Sequence, residues 1–173
     1  MTVLEFKVDQ RAALGRTLTL DDRFADITFG LHDQLDRLLA QPARTFESFS
    51  ETEPQGGVYL FTEHGRHLFA GRTSRLYQRL LNHCRGSTSE NRSLLKLSLI
   101  VEDTVFLARP MRKAAWSDVS RLPGFTEAFA RAKNRVQMMD IRFIEERDDL
   151  AQLLLEVYCK AVLKTPNSPH QSM

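Results

Sequence analysis

Two short apolar runs, residues 57–62 and 67–71, flank the tetrapeptide Glu63-His64-Gly65-Arg66. Runs of this length read as strands, and Gly65 can take the positive φ that a tight turn demands, so the stretch predicts a β-hairpin. A hairpin excludes an all-helical fold and fixes the first strand pair. On either side the spacing changes. Residues 1–20 read as an extended arm. Residues 22–40 place Phe24, Ile27, Leu31, Leu35, Leu38 and Leu39 at helical intervals, and Pro42 ends that helix. Residues 43–55 form a polar connector. After the hairpin, Ser74 is expected to cap a helix running to about Cys84. A polar loop follows to Asn91, then a helix over 92–100, a short strand over 104–108 and an irregular stretch to Leu122. Residues 125–136 read as a helix carrying Arg131, Lys133 and Arg135. Residues 139–145 alternate as a strand, with Ile141 and Phe143 on one face and Arg142 and Ile144 on the other. Asp148 caps a final helix to about Lys164, which Pro166 stops. Strands separated by helices predict an α+β fold: a small antiparallel or mixed central sheet flanked by helices.

At 173 residues the chain is long enough for one domain with a substantial core. The expected organisation is an N-terminal extension over 1–55, a domain over 56–168 with an insert at about 85–138, and a tail over 169–173. The composition, 42% hydrophobic and 27% charged, is that of a globular protein. No apolar run approaches the ~20 residues that span a bilayer, so no membrane partner is expected. The start, Met1-Thr2-Val3-Leu4-Glu5-Phe6-Lys7, has no basic segment followed by a long apolar one, so no secretory leader is expected. Cys84 and Cys159 have no CxxC partner, which suggests a reduced cytoplasmic protein without a zinc site. Charge is unevenly spread. Residues 1–54 hold 6 Lys/Arg against 10 Asp/Glu, net −4, whereas residues 66–135 hold 14 against 5, net +9. A basic middle suits a phosphate-binding surface, or is simply a solvated face. The acidic N-terminal extension is expected to cover the domain or to form a homodimer.

Four places can carry chemistry. On the helix after the hairpin, Arg75, Arg79 and His83 recur at every fourth position beside an apolar arc of Leu76, Tyr77, Leu80, Leu81 and Cys84. Such a stripe predicts a groove in which an arginine grips a phosphate bidentately; the plain alternative is a surface row. Glu156 stands in a final helix that is otherwise mostly apolar. A carboxylate there needs a partner, either a hard divalent cation or a basic side chain in a structural ion pair. Tyr59, on the first strand, is a core residue or a phenol whose pKa a nearby cation lowers toward use as a base. Asn167 after Pro166 is a hydrogen-bonding group for the site or helix-end punctuation.

The ordered set Gly57-Val58-Tyr59, Phe69-Ala70-Gly71, Arg72, Arg79, His83, Leu155-Glu156 and Asn167 resembles the GIY-YIG nuclease superfamily, over about residues 56–85 and 139–168. Phe69 stands where that family usually has tyrosine, and Arg72 where it often has lysine. The resemblance implies a Mg²⁺- or Mn²⁺-dependent endonuclease acting on nucleic acid, DNA above all. It implies Glu156 as metal ligand, Tyr59 or His83 as the group acting on water, Arg79 with Arg72 on the scissile phosphate, and Asn167 in support. Arg75, Lys96, Arg112 and Lys113 become phosphate contacts, with Arg92, Arg109, Arg131 and Lys133 beside them in the basic insert and Trp116 a stacking or packing residue. Phe69, which lacks the phenol, keeps a second expectation open: a catalytically decayed nucleic-acid-binding or regulatory protein on the same scaffold. A purely structural partner protein, whose basic insert meets an acidic protein surface, is a third.

Overall fold

The computed structural model describes residues 20–54, 56–85 and 123–165. The chain divides into two units, Met1–Gly30 and Leu31–Met173. In the first, helix α1 spans Leu20–Phe29. The second opens with α2 (Leu31–Ala40), so the single helix expected over 22–40 is two helices parted at Gly30. Glycine is a poor helix former because it gives up the most backbone freedom.

The second unit is an α+β fold built on three antiparallel strands. They are β1 (Gly57–Glu63), β2 (Arg66–Thr73) and β3 (Asp140–Glu145), in the order β2-β1-β3. Three helices follow α2: α3 (Leu76–Cys84), α4 (Phe125–Gln137) and α5 (Asp149–Val162). The central strand β1 is buried along nearly its whole length, which is why residues 58–61 read as a continuous apolar run rather than an alternating one. One face of the sheet presents Tyr59, Phe61, Phe69 and Ile141 to Leu76, Leu80 and Cys84 of α3 and Ala132 and Val136 of α4. By alternation the other face carries Val58, Leu60, Ala70 and Ile144, all buried. There α5 packs on β2 and β1, and α2 packs on β3 and α5. Leu31, Leu35 and Leu38 of α2 and Gln152, Leu155 and Cys159 of α5 are the buried residues those helices contribute.

The hairpin turn is as expected, with His64 and Gly65 both at positive φ (49° and 77°), the pairing that suits a two-residue hairpin turn. Beyond it the register shifts between Phe61 and Thr62, since Phe61 pairs with Phe69 but Thr62 with His67. Leu68 is the extra residue of this bulge, so Leu68 and Phe69 both join the α3-side core. The β3 edge is extended by a bridge in which Arg44 and Ile141 exchange backbone hydrogen bonds of 3.0 and 2.7 Å. Asp148 caps α5 as expected, accepting from the backbone N–H of Leu150 (2.9 Å) and Ala151 (3.1 Å). The cap of α3 differs from expectation. Its N-cap is Arg75, not Ser74, and the Thr73 hydroxyl accepts the Arg75 N–H at 3.0 Å. The strand runs to Thr73, so Thr73 rather than Ser74 is placed to reach the first turn. The helix and strand expected over 92–100 and 104–108 lie outside the described residues. No helix among the described residues is long and apolar enough to cross a membrane.

Candidate active site

Several of the candidate residues lie beside the end of β2. Tyr59 pairs across the ladder with Gly71, and its ring lies over that glycine. A Cβ at Gly71 would sit 2.5 Å from the Tyr59 hydroxyl and 2.6 Å from the ring carbon that bears it. Glycine is therefore what lets the phenol cross the edge strand. Phe69 stacks on Tyr59 at 6.1 Å, with the planes 25° apart, and Phe61 meets Tyr59 edge-on at 5.9 Å. His83, from the last turn of α3, closes this aromatic pocket: its Nε2 shares a 2.8 Å hydrogen bond with the Tyr59 hydroxyl. Its ring lies 5.4 Å from both Phe61 and Phe69. The other ring nitrogen, Nδ1, is buried with no hydrogen-bond partner among the described residues.

Burial sets the charge state of this pair. It pushes the Tyr59 phenol well above 10; Arg79 pulls the other way, and Glu156 pushes it further up. The expected lowering of the Tyr59 pKa is thus reversed, because the loss of hydration around a phenol only 2% exposed outweighs the neighbouring guanidinium. Burial also drives His83 from 6.5 down to about 3, and Arg79 acts in the same direction. Both rings are neutral at pH 7.

The expected arginine–histidine stripe on α3 runs from solvent into the core. Arg75 is exposed, Arg79 half-buried and His83 fully buried. Arg79 is the member that reaches both rings electrostatically. Across β2, Arg72 belongs by alternation to the face on which α5 packs. Its Nε lies 3.4 Å from Glu156 Oε2. The other carboxylate oxygen, Oε1, pairs with Lys160 one turn further along α5. Both partners of Glu156 are thus cations. Lys160 was missed in the sequence, although a glutamate four residues before a lysine on a helix is a recognisable pairing signal.

The candidates thus form two groups, Tyr59, Arg79 and His83 on the α3 side and Arg72 with Glu156 on the α5 side, and the Tyr59 phenol feels the charges of both Arg79 and Glu156. Asn167, Lys96, Arg112 and Lys113, with Arg92, Arg109 and Trp116, lie outside the described residues. Lys133 donates to the Arg85 backbone carbonyl at 3.3 Å, and Arg135 makes a two-pronged ion pair with Glu63 (2.9 and 2.7 Å) that holds the Glu63 carboxyl below the usual range.

Among the described residues no three His, Cys, Asp or Glu side chains come together. An all-protein metal cage is not what Glu156 offers. One carboxylate, 16% exposed at its side chain, fits the other mode of a hard divalent ion, in which waters and substrate phosphate oxygens complete the shell. Cys84 and Cys159 are free and buried, and burial pushes both thiols up to about 12, which leaves them inert as nucleophiles or ligands. No family model, curated protein or solved structure matches the chain.

Proposed function

We propose that this protein is a metal-dependent endonuclease of the GIY-YIG type, hydrolysing phosphodiester bonds in DNA. One observation carries the reading: residues far apart in sequence, Tyr59, Arg79 and His83 on the α3 side and Arg72 with Glu156 on the α5 side, lie along the end of β2, with the Tyr59 phenol in electrostatic reach of both Arg79 and Glu156. Glu156 would hold Mg²⁺ or Mn²⁺, which when bound supplies Lewis-acid polarisation of the phosphate and a more acidic water. Arg79, with Arg72 beside the carboxylate, supplies fixed positive charge where charge builds on the phosphoryl oxygens. Tyr59 and His83 form a neutral hydrogen-bonded pair: with the protonated phenol donating, His83 accepts at Nε2 and carries its own proton on Nδ1. Phe69 closes the pocket against water without supplying a phenol of its own.

The burial of Tyr59 favours a second reading, a catalytically decayed nucleic-acid-binding module. A phenol only 2% exposed, stacked on Phe69 and held protonated, is poorly placed to take a proton from water. The two readings part in one assay. Supercoiled plasmid and labelled single-stranded DNA are incubated with Mg²⁺, Mn²⁺ or EDTA, with wild type and Glu156→Ala side by side. The nuclease reading expects metal-dependent cutting that Glu156→Ala slows by roughly 10²–10³-fold, the size of losing one electrostatic group. Retained binding with no cutting under any metal establishes the decayed module instead.

A further inference from the structure

We propose that Lys160 is a resident counter-ion of Glu156, which the divalent cation displaces on binding. This inference rests on the nuclease reading and names a residue that sets the metal affinity of its site. The Glu156 carboxylate is occupied at both oxygens, by Arg72 at Oε2 and Lys160 at Oε1. The Glu156 and Lys160 side chains are only 16% and 17% exposed, so their attraction is screened less than in an open surface pair. A carboxylate so placed is costly without compensation, and the two cations provide it while no metal is present.

The two cations differ in their freedom to leave. Arg72 projects from a strand hydrogen-bonded within the sheet and approaches Glu156 side-on through Nε. Lys160 reaches the carboxylate from the same helix on a flexible four-carbon stem. Of the two, Lys160 is therefore the one that would give way if Glu156 held a divalent cation. No proton changes hands; one positive group replaces another on the same oxygen. The freed ammonium stays tethered one turn from Glu156, where it can pair with a phosphate oxygen beside the metal. Metal without nucleic acid thus competes with Lys160 and binds weakly.

The test is binding of Mn²⁺ alone, followed by the electron spin resonance signal of the free ion and by titration calorimetry, without nucleic acid. Wild type is compared with Lys160→Met, which keeps the apolar stem, with Lys160→Gln, which keeps a hydrogen-bond donor, and with Glu156→Gln in both the wild-type and Lys160→Met backgrounds. The expected result is that removing the ammonium tightens Mn²⁺ binding about tenfold, the order of effect of removing one partly screened like charge, and that Glu156→Gln abolishes the gain. A lysine serving only to support the helix lowers the melting temperature and leaves Mn²⁺ affinity where it was. Glu156-dependent binding that is unchanged or weaker in both folded Lys160 variants overturns the exchange while sparing the metal role of Glu156. Absence of Glu156-dependent binding in every variant overturns both.

Discussion

Gly71 and His83 show how much of the candidate site depends on single atoms. At Gly71 an added methyl would stand 2.5 Å from the Tyr59 hydroxyl, and Phe69 on one side and β1 on the other leave the ring little room to yield. Gly71→Ala is expected to destabilise the fold by about 1–3 kcal/mol, the usual range for overpacking a filled core. Denaturant unfolding checks it, and a change within ~0.5 kcal/mol, typical of an inert surface site, would show that the ring is free to move. His83 gives a pH signature. Its pKa falls from 6.5 in the unfolded chain to about 3 in the fold. Between those values the unfolded state binds the extra proton, so stability is full above pH 6.5 and declines as pH falls toward 3. Each group titrating in this way adds at most ~1.4 kcal/mol per pH unit to the slope. His67, which burial also lowers, contributes with the same sign. Stability curves at pH 7.5, 6.5, 5.5 and 4.5 should therefore be flatter for His83→Leu than for wild type. Equal slopes would remove His83 as the buried neutral base.

At the scale of elements, the position of Glu156 follows from where α5 begins. Asp148 accepts two backbone N–H groups of the first turn, and the buried Gln152 one turn later donates to the Glu146 carbonyl at 2.7 Å. Together they pin the helix start to the end of β3, which sets the rotation that brings Glu156 toward Arg72. Asp148→Ala should cost about 1 kcal/mol, the common loss for an N-cap, while Asp148→Ser should recover most of it. Thermal unfolding of the two variants decides this; equal losses would mean that the carboxylate acts there through charge rather than as a cap. The element boundaries themselves were largely legible. The turn at Gly65, the cap at Asp148 and the alternation of β3 are local signals, and each element formed where its signal lay. The start of α3 was less so, because Ser74 and Thr73 both carry a hydroxyl and only the end of the strand decides which one reaches the helix.

For the whole molecule, the net +9 of residues 66–135 is the feature that speaks to substrate on the proposed reading. Each phosphate neutralised by a basic side chain adds about −0.9 to the slope of log affinity against log salt for duplex DNA. Replacing Arg112 and Lys113 together by alanine should make the slope shallower by roughly 1.8 if both contact phosphate. Fluorescence anisotropy over a salt series measures it, and an unchanged slope would place the contacts elsewhere. What the sequence determined by itself was the α+β class, the hairpin and the helix and strand signals, because periodicity and turn chemistry act over a few neighbouring positions; the shortlist of Tyr59, Arg72, Arg79, His83 and Glu156 is what the resemblance implied. Only the tertiary structure decided their surroundings. Desolvation, which holds Tyr59 protonated and His83 neutral, depends on what other segments pack around a group. The pairing of Glu156 with Arg72 likewise joins residues 84 positions apart, a distance over which neither helical nor strand periodicity carries information.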